Sequence, residues 1–60
     1  MKRGVLLKKL HQAGVIFVKH EAKHDLYMNP RTGTKDRVPR HPDVNDILAK
    51  KIIQRLTINV

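Results

Sequence analysis

The turn Asn29-Pro30-Arg31-Thr32-Gly33 most constrains what this chain can fold into. Proline pre-sets the backbone for the first central position of a type I turn, and glycine supplies the left-handed residue that closes it. Runs that can form strands lie on both sides, so the turn commits them to pair antiparallel. The strand before it runs through Leu26, Tyr27 and Met28, approached by the polar His24 and Asp25. The strand after it spans Thr34 to Arg40. It is polar, with Val38 its one strongly apolar residue, and Pro39 cannot donate to a ladder, so it is expected at a sheet edge.

Upstream, Val15-Ile16-Phe17-Val18 places β-branched and aromatic residues at four successive positions. That pattern predicts a strand buried on both faces, or nearly so. The link through Ala22 and Lys23 is short, so this strand too should pair antiparallel with the next. A helix is expected before it, from about Lys2 to Ala13, with Val5, Leu6, Leu10 and Ala13 as its apolar stripe. Gly14 can take the left-handed conformation that ends a helix. A second helix is expected from Asp46 to Leu56, burying Ile47, Leu48, Ile52 and Leu56, with Asn45 or Asp43 as its cap and Asp46 suited to its positive end. The tail from Thr57 to Val60 is ambiguous. The order α-β-β-β-α predicts an α+β two-layer sandwich, a three-stranded antiparallel sheet with two helices on one face.

Sixty residues make one small domain, 1–60, whose core is barely sufficient. The absence of cysteine excludes disulfide staples and thiolate metal sites. A bound partner would therefore add useful stability. Thirteen Lys and Arg against five Asp and Glu give a net charge of +8, which implies a polyanionic partner. No apolar run approaches the roughly 20 residues that span a bilayer, so nucleic acid fits better than a membrane. Met1-Lys2-Arg3 is basic but leads into no apolar signal core, and the cytoplasm is the expected compartment. Phe17 and Tyr27 are the only aromatic residues. Two rings are too few for a platform of stacked bases, so recognition of RNA by backbone and shape is the expectation.

RNA can be cut without a metal because its 2′-hydroxyl can attack the adjacent phosphorus. A group must accept that proton, another must protonate the leaving 5′-oxygen, and cations must stabilise the developing charge. His24 suits the proton steps. Lys23, Arg37, Arg40 and His41 stand near it in sequence, with Tyr27 a candidate hydroxyl donor. Spacing alone does not decide, since a lone histidine on a basic surface is most often only a polar residue. His11 and His20 read as exposed polar positions. His20, His24 and His41 lack regular ligand spacing, so no zinc site and no other cofactor is expected.

Beyond these readings, the chain resembles the HicA-type toxins of bacterial type II toxin–antitoxin systems over almost its whole length. The residues that carry the resemblance are Leu6-Leu7-Lys8-Lys9-Leu10 with Ala13-Gly14, the following apolar strand, His24-Asp25-Leu26-Tyr27, the Asn29 to Gly33 turn, Val38-Pro39-Arg40-His41 and Ile47-Leu48-Ala49. The resemblance implies a fold like that of double-stranded-RNA-binding domains. It also implies an mRNA interferase that cleaves RNA without the ribosome, with His24 as catalytic residue, and a HicB-type antitoxin that neutralises it. The glycine and small residue that usually precede the family's histidine are replaced here by Glu21-Ala22-Lys23. Two rival readings are a non-catalytic RNA-binding module and a structural or ribosome-associated basic protein.

Overall fold

A computed structural model describes residues 1–57, and the tail residues 58–60 lie outside the description. The elements are α1 (Arg3–Gln12), β1 (Ile16–His20), β2 (His24–Met28), β3 (Lys35–Pro39) and α2 (Asp46–Thr57). The fold is a small α+β domain, as expected. Its sheet has the order β1-β2-β3 with both pairings antiparallel, so β2 is central and β3 is an edge strand.

The helix boundaries follow from local chemistry. Gly14 sits at φ +86° after α1. Its N–H donates to the His11 carbonyl at 3.0 Å, and the Val15 N–H donates to the Leu10 carbonyl at 3.0 Å. This pair of bonds is the Schellman arrangement, and its accompanying apolar contact joins Val15 to Leu10, both buried. At the start of α2 the Asn45 side-chain oxygen accepts the Ile47 N–H at 2.8 Å and the Leu48 N–H at 3.4 Å. Asn45 is therefore the cap, and Asp43 instead stands opposite Lys2 in a short antiparallel backbone bridge. The Arg3 N–H donates to the Pro42 carbonyl at 2.9 Å, which brings the two helix N-termini together.

The turn after β2 closes as its sequence requires. Thr32 and Gly33 donate their N–H groups to the Asn29 carbonyl at 3.3 and 2.8 Å, with Gly33 at φ +74°. The Asn29 side chain does more. Its oxygen accepts the Arg31 N–H at 2.9 Å, and its amide donates to the Leu56 carbonyl at 2.6 Å, in the last turn of α2. One buried side chain thus satisfies a turn donor and an otherwise orphaned helix carbonyl.

The core consists of Leu6, Leu10, Val15, Val38, Val44, Ala49, Ile52 and Leu56. Val38 is fully buried and pairs across the strands with Asp25, so these two mark the helix-facing side of the sheet. Several expectations about burial are corrected here. Ile16, Phe17 and Val18 are each 40–47% exposed, not buried on two faces, because α2 packs over β3 and β1 lies at the opposite edge of the sheet, packed mainly against β2. On α1 the stripe narrows to Leu6 and Leu10, with Leu7 partly buried, while Val5 and Ala13 face outward. On α2 it runs Ala49, Ile52 and Leu56, with Ile53 beside it, whereas Ile47 is 68% and Leu48 is 40% exposed.

The β1–β2 ladder contains a bulge. Phe17 opposes Tyr27 and Lys19 opposes Leu26, so Val18 is the extra residue. A bulge reverses the facing of everything beyond it. It therefore puts Phe17 and His20 on the same, helix-facing side, with ring centroids 4.8 Å apart.

Candidate functional site

His24 opens the central strand and pairs with Pro39 of β3. Its neighbour Asp25 faces the helices, so the pleat turns His24 to the open side of the sheet, where it is exposed. Among the described residues its imidazole has no hydrogen-bond partner. A histidine placed like this can accept a proton from a bound molecule, but nothing among the described residues fixes its tautomer.

The hairpin end around His24 is closed by hydrogen bonds from both sides. The Glu21 N–H donates to the His24 carbonyl at 2.8 Å, closing the β1–β2 loop. Arg40, just beyond β3, reaches back over this loop. Its guanidinium donates to the Glu21 carbonyl and, at 2.8 Å, to the Ala22 carbonyl, and its backbone N–H meets the Lys23 carbonyl at 3.4 Å. Arg37 lies on the open face and bonds Glu21 at 2.6 Å. Lys23 is exposed at the loop, and His41 is exposed in the bend after β3. The Glu21-Ala22-Lys23 loop thus carries two anchors of its own, the Glu21 side chain and the carbonyls held by Arg40.

Tyr27 is not on the His24 face. Three residues on along a strand, it points to the helices, packs against the core and meets Phe17 edge-on at a centroid distance of 5.6 Å. Burial pushes its hydroxyl above its usual pKa, with Asp25 adding to the rise and Arg3 opposing it. The structure brings Lys23, Arg37 and Arg40 around the hairpin of His24 and separates Tyr27 from it.

A second cluster, on the helix-facing side, has no signature in the sequence. Asp25 is only 4% exposed. Arg3 of α1 donates to it at 2.6 Å, the Nδ1 of His20 at 2.7 Å, and the Arg40 Nε lies 3.6 Å away. Arg3 also donates to the Pro39 carbonyl at 3.0 Å. The hydrogen bond from His20 holds the Asp25 carboxyl below the usual carboxylate range; desolvation works against this, and the charges of His20, Arg40 and Arg3 reinforce it. Sequence alone makes His20 a polar strand end, because the bulge that turns it toward Asp25 leaves no mark there. The buried carboxylate next in chain to His24 is the anchor that ties α1, β1 and the post-β3 segment to this end of β2.

No family model, curated protein or solved structure matches this chain. Among the described residues no three of His, Asp and Glu gather as a metal-binding group, and no helix is long and apolar enough to cross a membrane.

Proposed function

We propose that the chain is a HicA-type mRNA interferase, a ribosome-independent and metal-independent endoribonuclease with His24 as its catalytic residue. The observation that carries this reading is the placement of His24, an exposed imidazole with no partner among the described residues, at the start of the central strand and next to a loop held by Arg40. The α-β-β-β-α order supports the further reading of a double-stranded-RNA-binding-like fold.

In the reaction, His24 takes the proton of a ribose 2′-hydroxyl. The 2′-oxygen then bonds to the adjacent phosphorus, and the bond from phosphorus to the 5′-oxygen breaks. The leaving 5′-oxygen takes up a proton, so the step is proton-neutral overall and leaves a 2′,3′-cyclic phosphate. Lys23 and Arg37 supply positive charge for the pentacoordinate state. Arg40 and His41 complete the cationic end of the hairpin.

The net charge of +8 also suits an acidic protein inhibitor, a HicB-type antitoxin, which would block cleavage by covering Lys23, His24 and Arg40. Cytoplasmic RNA is the fitting substrate for such a pair.

The test is incubation of the purified protein with a defined RNA in EDTA, followed by mapping of product ends. Cyclic or 3′-phosphate ends from the wild type, and none from His24→Ala, are expected. Products with 3′-hydroxyl ends, or unchanged cleavage by the variant, would refute the reading. The rival is a non-catalytic RNA binder, and the lack, among the described residues, of any group orienting the His24 ring favours it. That rival predicts RNA binding without cleavage by either protein.

A further inference from the structure

The register of the three strands sorts the charged side chains by face. Asp25 and Val38 are paired and buried, so the residues alternating with them point away from the helices. That open face reads in cross-strand rows. Ile16, Met28 and Lys35 form one row, Lys19, Leu26 and Arg37 the next, and His24 with Pro39 the last. Lys19 on β1 and Lys35 and Arg37 on β3 make two cationic rims. They lie two strand spacings apart, about 10 Å. Leu26 and Met28 of β2 form the apolar floor between them, with Ile16 on the Lys19 strand, and His24 stands at one end of β2.

The carboxylates avoid this face. The sequence has five. Asp25 and Asp36 lie on the helix-facing side by register, and Asp43 and Asp46 belong to the start of α2. Among the described residues Glu21 alone borders the open face, and it is engaged by Arg37. Both aromatic rings, Phe17 and Tyr27, lie on the other side of the sheet. A protein-docking surface draws its strongest anchors from aromatic side chains, and this face has none.

We propose that the open face of the sheet is a track for one strand of RNA, its phosphates along the Lys19 and Lys35–Arg37 rims, leading to His24. The inference rests on the ribonuclease reading above and specifies the substrate as single-stranded. Attack by the 2′-oxygen requires that oxygen, the phosphorus and the leaving 5′-oxygen to come into line. A single strand can rotate into that alignment, whereas the A-form duplex is locked out of it. The Leu26 and Met28 side chains offer base edges no hydrogen-bonding partner, so the track tolerates many sequences.

The experiment measures binding of a twelve-nucleotide 2′-O-methyl RNA, which cannot be cleaved, by fluorescence anisotropy across a salt series. Wild type is compared with Lys19→Ala/Lys35→Ala and with Lys50→Ala/Lys51→Ala on α2. Removing one cation from a single-strand phosphate lowers the log–log salt slope by about 0.7. The Lys19/Lys35 pair should lower it by about 1.4 and weaken binding about 25-fold at 0.1 M salt. The α2 pair should cost less than about 5-fold, the share of one phosphate, and the methyl NMR signal of Met28 should shift on RNA addition. Equal losses from both pairs, a larger loss from the α2 pair, or an unmoved Met28 signal would overturn the track while leaving an RNA-cleaving protein in place. Failure of the wild type to bind this RNA would overturn the track, and failure to cleave its 2′-hydroxyl counterpart would overturn the ribonuclease reading as well.

Discussion

Asn29→Asp is a near-isosteric change at a turn position where aspartate is as acceptable as asparagine. By turn chemistry alone it should be almost neutral. The structure says otherwise. The aspartate can still accept the Arg31 N–H, now 2.9 Å from the side-chain oxygen, but it cannot donate to the Leu56 carbonyl, now 2.6 Å from the amide. Leaving a buried carbonyl without its donor costs about 1–3 kcal/mol. A negative charge at the C-terminal end of α2 adds about 0.3–1 kcal/mol. A domain of this length has roughly 3–9 kcal/mol of total stability. The loss should therefore be a large share of it, and Tm should fall by about 5–30 °C. Asn29→Ala removes both side-chain bonds without adding charge and should destabilise by a similar amount. Urea unfolding followed by circular dichroism measures this, with an unchanged m-value showing that the denatured state is comparable. An Asn29→Asp loss below about 0.5 kcal/mol, the scale of ordinary surface changes, would refute the role assigned to the Asn29 amide.

Leu6→Ala, at a position with no exposure, should cost about 2–5 kcal/mol and leave much of the protein unfolded at 37 °C. Ile47→Ala, at 68% exposure, should change stability by less than about 0.5 kcal/mol, and the same denaturation series compares the two directly. Because the Asp25 carboxyl is held below its ordinary value of 3.8, its contribution is fully present above that pH and is lost as pH falls through the lowered folded value. Melting curves from pH 6 down to pH 2 should show this acid loss in the wild type and a flatter profile in Asp25→Asn; parallel profiles would argue against the Arg3–Asp25–His20 cluster.

The sequence is legible where local chemistry decides the outcome. Gly14 ends α1, Asn45 caps α2, and the Asn29 to Gly33 turn reverses the chain, each through bonds made within a few residues. Burial is harder to read because it depends on which elements cover which. Val15 to Val18 is apolar enough for a two-sided core strand, yet α2 packs over β3 at the other edge of the sheet, and only Val15 is buried, next to the end of α1. On α2 the small Ala49 faces inward while the larger Ile47 and Leu48 do not, a rotation of the stripe that side-chain size disguises. At the site, the position of His24 at the head of β2 is readable. The pairing of His20 with Asp25 is not, since without the bulge at Val18 the strand would turn His20 the other way. Nearness in sequence groups Tyr27 with His24, and the alternation of the strand places it on the opposite face.

The exposure of β1 bears on how the protein behaves in concentrated solution. Among the described residues nothing pairs with the outer edge of β1, so its backbone donors and acceptors offer a template for another strand, lined by Ile16, Phe17 and Val18. Mutual repulsion of molecules carrying +8 opposes that contact, and Lys19 sits at its end as a charged gatekeeper. The repulsion reaches about 10 Å at 0.1 M salt but only about 3 Å at 1 M. Concentrated salt, the usual means of stripping RNA from a basic protein, therefore removes the barrier that keeps these edges apart. Light scattering should rise with ionic strength, and Val18→Lys should suppress it.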